Sequence, residues 1–220
     1  MNLKGLSSQK GKLVTLKADH VQGGQRYYTP SLKQGRIHNT AFLDVVQLKI
    51  GARVMLVDNI NTSDKLTNGS LGTVLAIENC SDDSVKYILI QFDNPKSGKA
   101  LRENFHQQLC TKYSNPLLTP IGRVERKYTL SKKQNSASAT ATLYQFPIKL
   151  AFAATAHKLQ GHTVPAPQQL VVDMTALRQP GQGYVMLSRI QNLEQLIILN
   201  ELPIEKKSNP IMQLSRSFKE

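Results

Sequence analysis

The sequence predicts an α/β fold that carries a small antiparallel β unit, and three observations lead there. Between Arg53 and Phe92, short runs of apolar and β-branched residues alternate with turn signals, the pattern of an antiparallel sheet or small barrel. After Pro147, strand-like and helix-like segments alternate, the pattern of a largely parallel sheet. Between the two, Ser131 to Thr142 is low in complexity and reads as a flexible loop.

The elements follow in chain order. Residues 1–46 are mixed; Gly23-Gly24 and Pro30 mark turns, and no long helix stands out. Arg53 to Val57 is a short apolar run after Gly51. Asn68-Gly69 is a strong turn signal, because both residues tolerate the backbone a tight hairpin needs. Gly72 to Ile77 and Val85 to Phe92 read as strands, the second rich in β-branched and aromatic residues. Ile148 to Ala154 is strand-like and opens the α/β pattern; Thr155 to Gln160 can form a short helix ended by Gly161. Leu170 to Val172 is a short apolar strand. Residues 181–190 read as a helix with Tyr184, Leu187 and Ile190 on one face, and Gln195 to Leu199 closes with a strand. Four portions are expected: 1–46, an ill-defined N-terminal part of the α/β domain; 47–145, the β unit and loop; 146–202, the α/β segment; and 203–220, a polar tail.

Composition narrows the function. A chain of 220 residues, 40% hydrophobic and 20% charged, is globular and long enough for one core with a small satellite. No window approaches 18 uninterrupted apolar residues, so no membrane partner is expected. The net charge of +13 points to a polyanionic partner, of which nucleic acid is the commonest. The excess is uneven: residues 1–50 hold eight Lys/Arg against two Asp/Glu, and residues 147–200 hold four against two. Cys80 and Cys110 fit neither a zinc site nor a disulfide framework, so a reducing, intracellular compartment is expected. The nucleus is the first expectation. The mitochondrion is the second, since four lysines precede the first acid, Asp19.

Chemistry concentrates in two places. His157, Lys158, Gln160, His162 and Thr163 crowd the end of a predicted strand, where open α/β sheets gather ligands. Lysine and imidazole suit phosphate and sugar contacts, and Gly161 permits close backbone approach or a left-handed turn. An ordinary polar turn ending a helix would look the same. Arg189 follows Ser188 at the end of a predicted helix. Its guanidinium could clamp a γ-phosphate, or simply sit at a helix C-terminus and gain from the dipole. A metal site at His157 and His162 is not expected, because a spacing of five puts them on different faces of a helix. A Ser188–His157–Asp173 triad can be drawn, but no G-x-S-x-G elbow supports a hydrolase.

Four ordered blocks resemble the C-terminal motor half of the Pif-type (petite integration frequency), RecD-like DNA helicases, with the version in helitron transposons especially similar. Leu48 to Leu56 with Asn59 is like "L-K-x-G-A-x-V-M-L…N", and Leu66 to Val74 is like "L-V-N-G-x-x-G-x-V". Phe146 to Thr163 is like "F-P-L-x-L-A-F-A-x-T-x-H-K-x-Q-G-x-T". Gly181 to Arg189 with Leu193 to Leu196 is like "G-Q-x-Y-V-x-L-S-R…L-E-x-L". Leu159 stands where the family usually has serine, and Thr67 where valine is common.

The resemblance implies a RecA-like second motor domain with an inserted Src-homology-3-like β-barrel. It implies that Arg189 is an arginine finger on ATP bound between two motor domains, and that Gln160 and Gly161 lie near the nucleotide. It places His157, Lys158 and Thr163 along the single-stranded DNA track. ATP and Mg2+ are then cofactors of the complete 5′-to-3′ helicase, working in DNA repair, recombination and telomere maintenance. The chain itself has no G-x-x-x-x-G-K-[ST] loop and no D-E pair in a motif-like position. It is therefore expected to be inactive alone, to bind neither cofactor tightly, and to need an N-terminal motor domain in cis or trans. The alternative is a non-enzymatic single-stranded nucleic-acid-binding module or a transposon relic.

Overall fold

The structure is a computed structural model describing residues 6–7, 11–26, 32–33, 36–37, 40–82, 84–110, 112–130, 140–153, 161, 163–164, 166–176 and 181–199. The chain divides into two compact units, Met1–Ala153 and Ala154–Glu220.

The first unit is built mainly from short antiparallel strands. In order they are β1 (Val14–Lys17), β2 (Asp19–Gln22), β3 (Gln25–Arg26), β4 (Leu32–Lys33), β5 (Arg36–Ile37), β6 (Val45–Leu48), β7 (Arg53–Leu56), β8 (Leu71–Asn79) and β9 (Val85–Phe92). Helix α1 (Lys99–Cys110) follows, then β10 (Leu118–Ile121), β11 (Val124–Thr129), β12 (Thr140–Gln145) and β13 (Ile148–Leu150). A five-stranded sheet runs β10-β9-β8-β7-β13, a four-stranded one β11-β12-β2-β3, and β1 pairs with β6. The period-2 pattern explains the packing: β6 alternates exposed and buried, and Val46 and Leu48 enter a core with Val54, Leu56, Val74, Ile88, Ile90 and Phe146. A register shift between Val74 and Ala76 leaves Leu75 over, and that residue is exposed. Gly72 lies on the β7–β8–β9 ladder; a Cβ there would sit 2.6 Å from Ile90 Cγ2 and 2.7 Å from the Gln91 carbonyl. Only glycine allows that spacing.

Buried polar groups tie the strands together. Gln145 is fully buried; its Nε2 donates to the carbonyls of Leu43 and Asp44 at 3.2 and 3.1 Å, and its Oε1 accepts the Phe146 N–H at 2.9 Å. His20 is buried between Tyr128 Oη, 2.8 Å from Nδ1, and Asp44 Oδ1, 2.9 Å from Nε2. Glu78 on β8 meets the Tyr113 hydroxyl and Lys112 Nζ beyond α1. That hydroxyl, followed by the lysine, holds the Glu78 carboxyl below its usual range despite some desolvation.

The sequence places the boundary between β unit and α/β segment at 145/146, but the structure places Ile148–Leu150 with the β unit. This strand pairs antiparallel with β7, Ile148 opposite Leu56. An apolar strand reads alike in a parallel or antiparallel sheet, so its partner decides. Residues 1–46 likewise pair inside the first unit, β1 with β6 and β2 with β12. The predicted loop at 131–142 ends early, since Thr140 to Thr142 open β12; residues 131–139 lie outside the described residues.

In the second unit, β14 (Leu170–Val172) and β15 (Leu196–Ile198) form a parallel pair, Leu170 opposite Leu196, with α2 (Gln182–Leu187) between them in sequence. This is the β-α-β arrangement expected there, on a small scale. Helix α2 is shorter than the expected 181–190, and its buried positions are Gly183 and Met186, while Tyr184 is exposed. Among the described residues no helix is long and apolar enough to cross a membrane.

Candidate nucleotide and nucleic-acid interface

Of the six residues picked from sequence for Pif-type chemistry, Thr163 is brought beside Arg189 in the second unit through its neighbour Val164. Gly161 and Thr163 are exposed, and the Val164 N–H donates to the Arg189 carbonyl at 2.7 Å. That bond draws the backbone after Thr163 against the end of the segment carrying Ser188 and Arg189. Gly161 has φ +80°, and a Cβ there would meet nothing within 4 Å. Glycine is therefore needed for the left-handed turn and not for room. His157, Lys158 and Gln160 lie outside the described residues, as does His162.

Arg189 stands just past the end of α2, half-buried. Its Nε donates to the Val185 carbonyl at 2.9 Å and its Nη2 to Ser188 Oγ at 2.7 Å. The guanidinium thus folds onto the last turn of its own helix, where carbonyls without helical partners and the negative dipole end favour a cation. Ser188 Oγ in turn donates to the Val185 carbonyl at 3.1 Å, and Asp173 Oδ1 accepts from the Thr175 N–H and hydroxyl. Neither contact is the relay a hydrolytic triad would use.

Gln195 organises this region and was not among the residues predicted for the site. It is 3% exposed. Its Oε1 accepts the N–H groups of Gln191 and Asn192 at 2.8 and 3.1 Å, and its Nε2 donates to the carbonyls of Val164 and Gln168 at 3.0 and 2.9 Å. All four positions of the amide are used, so one side chain ties Val164 and Gln168 to the turn after Arg189. The clue in the sequence is a glutamine inside the apolar run Leu193 to Leu199.

The two earlier motif blocks build structure. Asn59 Oδ1 accepts the Asn68 N–H at 2.8 Å, joining the first block to the Asn68-Gly69 turn of the second. Arg53 makes a two-pronged ion pair with Asp93 at 2.7 and 2.6 Å. Among the described residues, no three of His, Cys, Asp or Glu come together to hold a metal ion.

A family model described as DNA helicase Pif1, 2B domain, matches residues 38–77, which take in β6, β7 and most of β8. The ATP-dependent DNA helicase Pif1 of Psychrobacter sp. is 27% identical over 231 aligned positions, covering 96% of this chain and 34% of the relative. Human ATP-dependent DNA helicase PIF1 is 28% identical over 166 positions, 75% of this chain and 21% of the relative. The crystal structure of Pif1 helicase from Candida albicans superposes with a TM-score of 0.60 at 22% identity, covering 99% of this chain and 46% of that one. Bacteroides Pif1 bound to single-stranded DNA superposes with a TM-score of 0.59 at 21% identity, covering 99% and 42%. The chain spans about a third or less of the length of these curated relatives. Motif order, family-model match, relatives and fold all point the same way: the chain is similar to part of the Pif1-type helicases, over about a third or less of their length.

Proposed function

We propose that the chain is the C-terminal motor part of an ATP-dependent 5′-to-3′ DNA helicase, with Arg189 as its arginine finger and His157, Lys158 and Thr163 on the single-stranded DNA track. Gln160 and Gly161 lie by the nucleotide in this reading. In this reading the first unit includes a Src-homology-3-like barrel within the insertion that opens at residue 47, and the RecA-like segment that carries the two later motifs begins after Ala153. The observation that carries the reading is the Val164 N–H bond to the Arg189 carbonyl, because it couples the segment after the H-K-L-Q-G-H-T motif to the arginine. ATP and magnesium supply the hydrolysis in the complete machine. Arg189 would give charge to a phosphate once it leaves Ser188 Oγ, and the phosphate loop would come from an N-terminal motor domain. Work inside the cell, in the nucleus or mitochondrion, follows from a DNA substrate.

A basic module that holds single strands without nucleotide is the second reading, favoured by the +13 charge and the absent phosphate loop. One experiment separates them. The chain is joined to the phosphate-loop-bearing part of the Psychrobacter relative, and DNA-stimulated ATP hydrolysis is measured. Arg189→Ala is expected to cut turnover by roughly 10³-fold or more, as for other arginine fingers, while oligothymidylate binding persists. Unchanged turnover would remove the finger assignment. DNA-stimulated hydrolysis by the chain alone would overturn the need for a second motor domain.

A further inference from the structure

A cleft of about 590 Å³ in the first unit runs along β1, from Gly11 to Lys17, and faces the ends of β8 and β9 at Ile77, Asn79, Ser84 and Val85. It has no part in the nucleotide reading. We propose that this cleft is a docking groove for an extended, acidic peptide segment of a partner protein, which adds as a strand to the open edge of β1.

The backbone register makes the edge. Among the described residues β6 is the one strand partner of β1. The Ala18 N–H donates to the Asp44 carbonyl at 2.8 Å, so Ala18, Leu16 and Val14 are the positions bonded across to β6. Antiparallel pairing alternates, so the N–H and C=O groups of Thr15 and Lys17 point the other way, into the cleft. The Lys17 carbonyl already accepts Arg123 Nη1 at 3.1 Å, which leaves Thr15 as the central docking position. An added strand needs such a row of backbone groups together with pockets for alternate side chains.

The lining selects the partner. Leu13 and Ile50 are 44% and 53% exposed, and Ile77 and Val85 are half-buried beside them, so the groove takes apolar side chains. Lys12 and Lys17 line it, with Arg123, which is paired to Asp19 at 2.7 Å, and no acidic residue is among the lining. A partner with carboxylates between its apolar residues complements that set. A second copy does not, because each copy brings a net +13 and the same lysines to the edge. Single-stranded nucleic acid would satisfy the cations, but no aromatic ring lines the cleft for its bases to stack on, and the apolar wall would face a sugar–phosphate chain.

The test uses the full chain and a fluorescein-labelled, acetylated decapeptide of alternating valine and glutamate, followed by fluorescence anisotropy. Saturable binding is expected, with a valine–lysine decapeptide failing to bind. Thr15→Pro removes the central outward N–H, leaves that of Lys17 and does not touch the β1–β6 bonds, and should weaken binding by about tenfold or more. Lys17→Glu changes an exposed side chain only, keeps the test valid if the proline variant misfolds, and should lower affinity for the glutamate peptide while admitting the lysine one. The proposal is overturned by absent binding, by equal affinity in Lys17→Glu, or by displacement of the peptide by oligothymidylate at the cleft. It is equally overturned if sedimentation finds a dimer that Lys17→Glu dissolves.

Discussion

Removing Gln195 would leave four backbone groups without partners at once: the N–H groups of Gln191 and Asn192 and the carbonyls of Val164 and Gln168. Gln195→Leu keeps the bulk and deletes every bond. It is expected to destabilise the second unit by on the order of 2–3 kcal/mol, since unpaired buried polar groups keep their desolvation penalty. The site-specific sign is hydrogen exchange at the Val164 amide, whose bond to the Arg189 carbonyl should open more often in the variant; protection equal to wild type would show that Gln195 does not hold the two motifs together. None of this is legible from spacing. The L-E-Q-L block marks Gln195 as part of a motif, but its partners lie up to 31 positions earlier, and a side-chain amide carries no periodic signal. Arg189 is the opposite case. Its position at a helix end was readable, and so were both of its possible uses, a helix-terminal contact and a phosphate contact. The structure displays the first of these, through Val185 and Ser188.

Helix α1 shows the same limit one scale up. The residue before it, Gly98, has no side-chain oxygen to cap the first turn. The cap comes instead from Asp64, buried in a loop, whose carboxylate accepts the N–H groups of Ala100 and Leu101 at 2.9 and 3.0 Å. Arg102 then pins the entry by donating to the carbonyls of Ser97 and Pro95 and to Thr119 Oγ1. A start signal drawn from 36 residues away is invisible to any reading of local capping residues. Asp64→Ala should cost about 1–2 kcal/mol, the usual worth of an N-cap, with loss of helical circular dichroism preceding the main urea transition. A single unshifted transition would mean that the packing of Leu101 and the Tyr87–Phe105 edge contact hold the helix without its cap. Strands β8 and β9 were legible because their β-branched runs lie between turn residues. Strand β10 was not, because all four of its residues are buried and one is a proline, so no alternation exists to read. Strand β13 was seen but assigned to the wrong sheet, because β7, its partner, lies nearly a hundred residues earlier in the chain.

At the scale of the whole molecule, motif order pointed to the Pif1-type helicases because blocks of ordered chemistry can be matched where individual contacts cannot be inferred; charge pointed only to a class of partner. The distribution of that charge makes a sharper statement. Residues 1–50 carry a net +6, whereas the motif-bearing residues 147–200 carry +2, so most of the basic surface lies away from the helicase motifs. If the chain binds single-stranded DNA through phosphate contacts, affinity for oligothymidylate should fall linearly on a log–log plot against salt, at a slope of about −0.7 per phosphate neutralised. Lys158→Ala should then flatten the slope by about 0.7, one phosphate's worth, while Lys12→Ala in the β1 cleft should leave it unchanged, since that lysine is reserved for a peptide. Anisotropy titrations at four salt concentrations decide between the two. A slope altered by Lys12 and untouched by Lys158 would move the nucleic-acid track from the motif segment to the β unit, and would remove Lys158 from the proposed contacts. A salt-independent affinity would reduce the +13 charge to a matter of solubility and leave the strand to be held by stacking or hydrogen bonds.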